Sequence, residues 1–520
     1  MRRWLITLLF VLCCGVSFAQ QHDQQQLQKL TQFYNYLRSN YVDEVDLEPL
    51  VEEAIKATLS ELDPHSSYIT AEDLQRMRAS FSGEFTGIGI SFISLRDTII
   101  VNRVLEGSPA AKAGVKKNDR IIAVDSTSLV GVSTSEAQGK LRGEKGTTST
   151  LSIVRGKCDN PLYINIKRDD IPTKSVSLAF RLDNNVGYVR IDSFLSRTLA
   201  EEFTQQVNTL GSIDALIIDL RNNSGGLLSS AIRLSELFLN RGDLIVSTDG
   251  RKENSTYFAS KNGAFRKLPL VILTNEETAS ASEIFAGAMQ DHDRAVIIGH
   301  RSFGKGLIQR LVNLPDGSGI KLTIARYLTP SGRVIQRPYQ NGDRESYVRD
   351  RERYNHLDSV QLTELPTYTS LRNGRTIYGG GGIHPDVYVT LTGESLPFVS
   401  VLRQSKSISE IIVSIFDRVD IDSFLDRYPT LEAYTNDFTL DREAIDLMIS
   451  RVHSFNPDLT DDPEGLNKAQ DIIKAQIAEE VYGVGTYYLI FGHREDQMLK
   501  SAHDIASNPA SIRTLLGYSD

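Results

Sequence analysis

Lys305 lies in the stretch GHRSFGKGLIQ, where a lysine can do one of two kinds of chemistry. Gly299–Lys305 fits the pattern G-x-x-x-x-G-K of a phosphate-binding P-loop, in which the lysine stays charged. A lysine that has lost its proton can instead take a proton from a serine hydroxyl and so activate it for attack on a carbonyl. The residues around Lys305 and upstream of it bear on which chemistry applies.

The P-loop interpretation lacks a magnesium ligand. A P-loop continues from its lysine with Ser or Thr, whose hydroxyl binds Mg²⁺, and it opens a helix. Here Gly306 follows Lys305, and GLIQRLVNLPDGSG alternates as a strand does before it reaches a proline turn. The apolar strand ALIIDL, which ends at Asp219, imitates the metal-binding half of such a site, but apolar strands ending in Asp are common. A nucleotide site is therefore disfavoured.

Two serines upstream of Lys305 are candidates for a nucleophile. Ser280 and Ser282 lie in LTNEETASASEIFAGAMQD, where an apolar strand is followed by small residues and then by a helical pattern. A nucleophile at a helix N-terminus gains from the backbone amides, because negative charge is favoured there. The alternative is that either serine only caps the helix, with Glu283 in the first turn. This stretch alone leaves both interpretations open.

Histidine and lysine are the candidate bases for such a serine. The chain has neither the G-x-S-x-G elbow of the α/β-hydrolases nor the H-E-x-x-H motif of zinc proteases. His300 is the best-placed histidine, although a lone loop histidine is usually a surface residue. Lys305 has apolar neighbours such as Phe303 and Leu307, and burial against apolar walls lowers the pKa of a lysine. The sequence thus permits a neutral Lys305 as the base.

Backbone amides for a developing oxyanion can come from the turn DLRNNSGGLL. The turn leads from a buried strand into a helix, so the N–H groups of Gly225 and Gly226 can face a reacting carbonyl. The alternative is that these glycines only shape the turn. Together, the serine, lysine and glycine segments predict an acyl-transfer site within one α/β region.

The elements that must position these residues change character along the chain. Helical apolar spacing runs from Leu27 to about Met77, and short β-rich runs separated by glycines follow from Phe85 to about Lys167. Apolar strands and helical patterns alternate from Lys174 to about Leu391, which indicates an α/β layer structure. Within it, the polar stretch from Tyr339 to Gly382 is typical of a surface insertion or flexible loop. Beyond Pro397 the pattern is helical.

The first residues of the 520-residue chain indicate export, and its cysteines and charge bear on its chemistry and partners. MRRWLITLLFVLCCGVSFAQ has two arginines, an apolar run and a small-x-Ala pattern, which predicts a secretory signal cut after Ala19. The alternative is an uncleaved membrane anchor, although the run is short for spanning a bilayer. Cleavage leaves Cys158 as the single cysteine, which excludes an internal disulfide and CxxC-type metal or redox chemistry. With a net charge of -9 and no basic run with interleaved aromatics, nucleic acid is not expected as a partner.

Taken in order, these segments resemble the C-terminal processing (tail-specific) proteases, which are serine peptidases of family S41 with a Ser-Lys active site. The similarity runs from about Leu62 to Val389 through LDPHSSYI, GIGI, DLRNNSGGLL, ETASASEIFAGAMQD, GHRSFGKGLIQ, LTIARYLTPSGRVIQ and GGIHPDVYV. Such an ordered set of motifs is a specific signal, and it covers most of the chain.

The resemblance implies the roles of the reactive side chains. In that family the lysine follows the nucleophile by 25 residues, which from Lys305 selects Ser280 over Ser282. The glutamine that orients the lysine falls on Gln309, four residues further on. Thr278 stands where relatives often have a serine, and this departure is mild.

The resemblance also implies the backbone groups of the site. The oxyanion hole falls on the amides of Gly226, or Gly225, and of Ala281. His65 belongs to a family motif, and we expect it to be structural.

A PDZ domain is predicted by GIGI placed just ahead of SPAAKAGVKKNDRIIAVDS. Gly87, Ile88, Gly89 and Ile90 can present successive N–H groups to the terminal carboxylate of a peptide, while the next strand pairs with that peptide. Ile88 and Ile90 favour an apolar last residue. On its own, GIGI is also compatible with a plain strand start.

The expected fold is multidomain α+β, in which the resemblance implies a protease core of the crotonase/ClpP-like α/β kind. The predicted parts are a signal peptide at 1–19, a helical N-terminal region at 20–82, an inserted PDZ domain at 83–168, the protease core at 169–395 and an all-helical C-terminal domain at 396–520.

The expected function is that of an exported serine endopeptidase of the periplasm or cell envelope. It would capture proteins with accessible, apolar C-terminal tails and cleave them without a metal or cofactor. The helical domains could mediate homo-oligomer formation or bind an adaptor protein. The alternative is a catalytically silent PDZ-bearing scaffold or chaperone, and the presence of Ser280, Lys305 and Gln309 together argues against it.

Overall fold

The structure of the chain is a computed structural model that describes most of its residues. These are residues 23–81, 84–95, 97–105, 107–156, 160–172, 174–347, 365–389, 396–405, 407–419, 421–459, 462–483, 485–492 and 496–518. The predicted signal peptide at 1–19 and Cys158 lie outside them. Among the described residues, no helix is both long and apolar enough to cross a bilayer.

Helices and strands are both abundant in the described chain, which confirms the expected mixed content. The strands are β1 (Ser67–Ile69), β2 (Glu84–Gly87), β3 (Ile90–Leu95), β4 (Thr98–Val104), β5 (Arg120–Val124), β6 (Thr127–Ser128), β7 (Thr148–Val154), β8 (Leu162–Lys167), β9 (Asp169–Pro172), β10 (Val176–Arg181), β11 (Val186–Ile191), β12 (Ala215–Asp219), β13 (Leu244–Asp249), β14 (Ser255–Phe258), β15 (Leu270–Thr274), β16 (Val296–Gly299), β17 (Leu307–Asn313), β18 (Gly319–Leu328), β19 (Thr367–Thr369), β20 (Thr376–Tyr378) and β21 (Val387–Tyr388). The helices are α1 (23–40), α2 (Leu47–Ser60), α3 (Ala71–Phe81), α4 (Pro109–Ala113), α5 (Thr134–Leu141), α6 (Leu199–Thr209), α7 (Leu228–Glu236), α8 (Ala281–Asp291), α9 (Pro397–Gln404), α10 (Ile408–Arg418), α11 (Ile421–Arg427), α12 (Leu431–Asp437), α13 (Arg442–Phe455), α14 (Pro463–Tyr482), α15 (Gln497–Ala506) and α16 (Pro509–Leu515).

The chain forms two compact units. The smaller unit contains the described residues up to Ala71 together with Arg310–Thr323 and Tyr339–Tyr347, and the larger unit contains the rest. In the smaller unit, Asp63 Oδ1 accepts the backbone amide of His65 at 2.9 Å. His65 Nε2 in turn lies 3.0 Å from Tyr347 Oη. The motif LDPHSSY therefore forms a turn held by its own aspartate and by packing within this unit.

In the larger unit, residues 84–172 form a β-rich module. Five strands are ordered β3-β4-β5-β7-β8, and β6 pairs with β5. Alternating apolar residues such as Ile99, Val101 and Ile121 are buried between this sheet and the two short helices α4 and α5. Among the residues that the structure describes, β3 pairs with β4 alone, so one side of β3 is an open edge of this sheet.

A six-stranded sheet of order β10-β11-β12-β15-β16-β21 forms the centre of the larger unit. The strands from β11 to β21 pair in parallel, and β10 is antiparallel at the edge. The apolar runs predicted from ALIIDL, LPLVILT and RAVIIG are strands of this sheet. They are continuously apolar because both faces of a parallel sheet are covered.

Helices from distant parts of the chain cover the two faces. On one face Leu216 and Ile272 pack with residues of α6, α7 and α8. On the other face Ile217 and Leu273 pack with residues of α15 and α16 such as Leu499. The sheet is thus the middle layer of three, and the layer on its second face comes from the helices that follow residue 496.

The helices α9 to α14 form a core of their own. Aromatic side chains are concentrated in it: Phe424 contacts Tyr428, Tyr434 and Phe438 at ring-centroid distances of 5.1, 5.9 and 5.6 Å. A helical region from residue 396 was expected from the pattern. Within it, α15 and α16 leave this core and pack on the central sheet instead.

The polar stretch from Tyr339 to Gly382 is only partly what its composition indicates. Residues 348–364 lie outside the described residues. The flexible-loop alternative is wrong for the end of the stretch, because β19 and β20 form a hairpin, and the surface position is wrong for Gly381 and Gly382, which are buried. A Cβ on Gly382 would lie 2.4 Å from the carbonyl oxygen of Ser302. Glycine is needed there because two backbone segments touch.

Candidate active site

Ser280 occupies the turn between β15 and α8 in a rare backbone conformation. Its φ is 59° and its ψ is -117°, which few residues other than glycine adopt. Such strain is typical of functional turns that expose a side chain. The neighbours Ala279 and Ala281 are buried, whereas Ser280 is half-buried. Ser280 is therefore less shielded from solvent than the two residues beside it.

Ser282, the other candidate, is engaged elsewhere. Its side chain is 0% exposed, and its Oγ donates to the carbonyl oxygen of Asn223 at 3.1 Å. A hydroxyl held in this way ties α8 to the DLRNNSGG turn. It has no room to meet a substrate.

The carboxylate of Glu283 brings the segments of Ser280 and Lys305 together. Glu283 Oε2 accepts the backbone amide of Ser280 at 2.7 Å and the backbone amide of Lys305 at 2.9 Å. The two amide nitrogens thus lie no further apart than the sum of these two distances. Lys305 is half-buried between Gly304 and Gly306, which are both buried.

The carboxyl group of Glu283 is buried and accepts hydrogen bonds from four donors. In addition to the two amides, its Oε1 accepts Ser302 Oγ at 2.6 Å and the amide of Gly304 at 2.7 Å. Burial raises the pKa of Glu283 above its usual value, and the four hydrogen bonds oppose that shift. The only sequence signal for this residue was its place three positions after Ser280, the spacing of a helix capping box.

Tyr327 also contacts both segments. Its hydroxyl donates to the carbonyl oxygen of Ser280 at 3.1 Å, and it lies within hydrogen-bond distance of the carbonyl oxygen of Lys305. The backbone amide of Tyr327 donates to the carbonyl oxygen of Gly306 at 3.0 Å. Sequence reasoning missed Tyr327, because one aromatic residue in an alternating strand indicates packing only.

The glycine pair lies directly against Ser280. A Cβ on Gly225 would be 2.8 Å from Ser280 Cβ and 2.8 Å from the amide nitrogen of Ala281. The amide of Gly225 donates to Asn223 Oδ1 at 2.9 Å, so it is occupied. Gly226 bridges to Phe194 through the groups on either side of it: Phe194 N donates to the Gly225 carbonyl, and Leu227 N donates to the Phe194 carbonyl. The amide of Gly226 takes no part in that bridge.

Two asparagines connect the glycine turn to the serine turn. The amide of Asn222 donates to Asn275 Oδ1 at 2.9 Å, and Asn275 Nδ2 donates to Asn222 Oδ1 at 2.8 Å. The carbonyl of Asn223 also accepts the amide of Ala279 at 2.9 Å. The two turns therefore form one hydrogen-bonded assembly.

His300 is held in a position where it cannot act as a base. Its Nδ1 lies 2.7 Å from Glu276 Oε1, and its Nε2 lies 2.9 Å from the carbonyl oxygen of Val389. Both partners are acceptors, so both ring nitrogens are needed as donors. Burial lowers the pKa of His300, but the Glu276 carboxylate outweighs this and holds the pKa above its usual value.

Gln309 and the PDZ residues lie on other elements. Gln309 is half-buried on β17, the strand that follows the lysine turn. That strand confirms the alternation read after Lys305 and is not the helix that a P-loop needs. In the β-rich module, the carbonyls of Ile88 and Gly89 accept backbone amides of Ala110 and Leu105 at 2.8 and 2.9 Å.

A half-buried serine on a strained strand-to-helix turn, next to turn amides and a lysine segment, defines a site suited to acyl transfer. Comparison with known proteins agrees with this class. The model of peptidase family S41 matches residues 185–344, that of the PDZ domain matches residues 86–166, and that of the activating protease CtpB N-terminal domain matches residues 16–73.

Individual relatives carry names of the same kind. A carboxy-terminal-processing protease of Bartonella bacilliformis is 41% identical over 325 residues, which cover 61% of this chain and 74% of the relative. The carboxy-terminal processing protease CtpA of Bacillus subtilis is 36% identical over 312 residues, which cover 59% of this chain and 66% of the relative. A solved photosystem II D1 C-terminal processing protease is 30% identical and covers 59% of this chain and 83% of its own, with a TM-score of 0.35. The chain belongs to the carboxy-terminal processing proteases of peptidase family S41, and it carries a PDZ domain.

Proposed function

We propose that the protein is an exported serine endopeptidase in which Ser280 is the nucleophile and Lys305 is the general base. The observation that carries this proposal is the shared carboxylate oxygen of Glu283, which holds the backbone amides of Ser280 and Lys305 side by side. A nucleophile and its base must be within hydrogen-bond reach of each other, and a common anchor for their backbones favours that arrangement.

In the proposed reaction, the neutral amine of Lys305 takes the proton of Ser280 Oγ as the oxygen attacks the scissile carbonyl. The negative charge that develops on the carbonyl oxygen is stabilised by the amides of Gly226 and Ala281. Lys305 then gives its proton to the leaving amine, and an acyl-enzyme remains on Ser280. Water, deprotonated by the same lysine, hydrolyses that ester and restores both groups.

Two features of the site support these assignments. Gly225 already donates its amide to Asn223, which leaves Gly226 as the available member of the glycine pair. Ala281 is the first residue of α8, where backbone amides have no partner within the helix. We assign Gln309 the role of orienting Lys305, and no metal or cofactor takes part.

We further propose that the PDZ domain captures the C-terminal tail of a substrate protein. Edge strand β3 has an open side to which an extended peptide can add as a new strand. Gly87, Ile88, Gly89 and Ile90 precede or begin that strand and would receive the terminal carboxylate, with an apolar last residue preferred. Substrates are accordingly proteins or peptides with accessible, apolar C-termini.

The wider organisation is also a proposal. The core at 169–395 is assigned to the crotonase/ClpP-like type, as the family resemblance implies. The PDZ domain is assigned to 83–168 and the helical regions to 20–82 and 396–520, and α15 and α16 of the last region pack on the sheet of the core. The pattern of residues 1–19 supports export to the periplasm or cell envelope, and the helical regions are the candidates for contacts with another copy or an adaptor.

The test uses purified protein and an unstructured substrate with an apolar C-terminus, with fragments identified by mass. Wild-type protein is expected to cleave it. Ser280→Ala and Lys305→Ala are expected to bind the tail peptide with unchanged affinity and to produce no fragments. Cleavage by both variants refutes the mechanism. Tail binding by the wild type without cleavage supports the silent scaffold instead.

A further inference from the structure

We propose that Tyr327 is a positioning residue that sets the distance between the nucleophile and the base. This inference rests on the proposed function, because it concerns the Ser280–Lys305 pair. Tyr327 is 1% exposed, and its hydroxyl is in contact with the backbone carbonyls of both of those residues. Both of these contacts are with backbone oxygen atoms, so the role that we assign to Tyr327 is to position the two backbones.

One end of this contact is fixed. The carbonyl of Ser280 also accepts the amides of Glu283 at 2.9 Å and Ile284 at 3.0 Å, which are the first hydrogen bonds of α8. The carbonyl of Ser280 is thus part of the helix. By contacting this carbonyl and that of Lys305, the hydroxyl of Tyr327 sets the position of Lys305 relative to the helix. The ring of Tyr327 is itself packed in the core beneath α6, α7 and α8.

Glu283 and Tyr327 contact the same two residues through different backbone atoms. Glu283 holds the amides of Ser280 and Lys305, whereas Tyr327 holds their carbonyls. These contacts restrain the backbone on both sides of each Cα atom.

One hydroxyl faces two carbonyls, although it has only one proton. It can donate fully to one carbonyl at a time or share the proton between them. A group with two donors in the same place would satisfy both. This predicts that p-aminophenylalanine at position 327, whose amino group has two N–H bonds, replaces tyrosine in function, and that phenylalanine does not.

The experiment measures kcat, KM and the pH profile of kcat on a peptide with an apolar C-terminus, using the full-length chain. For Tyr327→Phe we expect kcat to fall by about 10- to 100-fold, as for a base displaced by a fraction of an ångström to one ångström. We expect KM to be unchanged, and we expect the acidic limb of the profile to move to higher pH as the amine of Lys305 gains contact with water. The p-aminophenylalanine variant is expected to recover kcat and the wild-type limb.

Tyr434→Phe is the matched control. Tyr434 is also fully buried, and its hydroxyl also donates to a backbone carbonyl, that of Lys474 at 2.7 Å, but within the helical core. A general loss of stability affects both variants alike, and thermal melts give the folded fraction of each. The role of Tyr327 is overturned if Y327F keeps the kcat and pH profile of the wild type, or loses no more kcat than Y434F does.

Failure of the proposed function is distinguishable from failure of this inference. If Ser280→Ala cleaves as fast as the wild type, the proposed function is wrong and the inference falls with it. If S280A is inactive and Y327F is fully active, only the role of Tyr327 is wrong. If Y327F does not fold, the p-aminophenylalanine variant still tests the inference. A folded p-aminophenylalanine variant without activity contradicts the role of one donor group shared between the two carbonyls.

Discussion

Glu283 holds the amides of Ser280 and Lys305 on the same carboxylate oxygen. Glu283→Gln replaces one of its two acceptor oxygens with an NH₂ group, which then faces backbone donors. Each buried donor left without an acceptor destabilises the fold by ~1–3 kcal/mol. Misplacement of the base lowers kcat by about 100-fold. Urea unfolding and peptide cleavage measure the two effects.

Glu202→Gln is the control for that substitution. Glu202 is a second carboxylate that accepts two backbone amides, those of Ser175 at 3.1 Å and Val176 at 2.9 Å, and burial raises its pKa as well. We expect E202Q to lower the free energy of unfolding and to leave kcat unchanged. Equal losses of kcat in E202Q and E283Q contradict a specific role for Glu283.

Gly225→Ala tests the close approach of the glycine turn to the nucleophile. The new Cβ would meet the Ala279 carbonyl oxygen at 2.5 Å and Ser280 Cβ at 2.8 Å, so one of the two turns must move. We expect a loss of kcat of at least ~100-fold, the magnitude seen when an oxyanion donor is removed. Cleavage of a chromogenic peptide measures it.

Gly242→Ala separates this clash from backbone strain alone. Gly225 and Gly242 have similar φ values, 93° and 88°, but a Cβ on Gly242 has no atom within 4 Å. G242A should lose only about 1 kcal/mol of stability, the penalty for a left-handed alanine, and keep its activity. An active G225A enzyme is the result that contradicts the described geometry.

The pairing of His300 with Glu276 predicts a pH-dependent contribution to stability. The pKa of His300 is raised in the folded state, so its stabilisation is fully present below the unfolded value of about 6.5. It is lost as the pH rises through the folded pKa. The affected contacts are those that His300 makes with the Val389 carbonyl and the Tyr388 ring.

Thermal melts of wild type and His300→Gln between pH 5.5 and 8.5, with NMR titration of the imidazole, test this prediction. The difference in melting temperature between the two proteins should shrink with rising pH. Glu276→Gln should lower the pKa of His300. A His300 that titrates below its ordinary value in the wild type contradicts the pairing.

Lys117 and Glu480 connect the PDZ domain to the helical core, with 2.9 Å between Nζ and Oε2. Burial lowers the pKa of Lys117 and raises that of Glu480, so both charges are held largely away from water. Removing one partner of a buried pair costs about 3–5 kcal/mol, whereas replacing both with apolar residues is nearly neutral. We expect Lys117→Met alone to loosen the contact and Lys117→Met with Glu480→Leu to restore it.

Hydrogen exchange of β5 and α14 in the single and double variants measures the contact. Arg120→Met offers a comparison, because its pair with Asp417 at 2.5 Å is more exposed and is worth less. Additive effects of K117M and E480L, with no recovery in the double variant, exclude a coupled pair.

Local patterns in the sequence were sufficient to indicate the Ser280 and Ser282 pair, Lys305 and the glycine turn, whereas the choice of Ser280 over Ser282 came from the family resemblance. Each lies where an apolar strand changes to small residues, and such junctions are visible in a short window. The contacts between them were not visible, because Glu283 reaches across 22 residues to Lys305 and Tyr327 reaches across 47 to Ser280. The capping spacing of Glu283 indicated its contact with the amide of Ser280, but it did not indicate its contact with the amide of Lys305.

The glycines at 379–382 show a different limit. A glycine run has the same composition whether it is a loose linker or a backbone packed against another backbone. The sequence also could not predict which helices pack on the central sheet, because α15 has the same amphipathic pattern as the helices of the preceding core. Only the fold decides which apolar face such a helix meets.

The outer layer of the central sheet, formed by α15 and α16, is made late in synthesis. A ribosome completes Leu273 and Ile298 long before Leu499, so the nascent chain must carry an uncovered apolar face while the whole helical core is being produced. The apolar face of this sheet is therefore shielded from other chains only after α15 and α16 have been made.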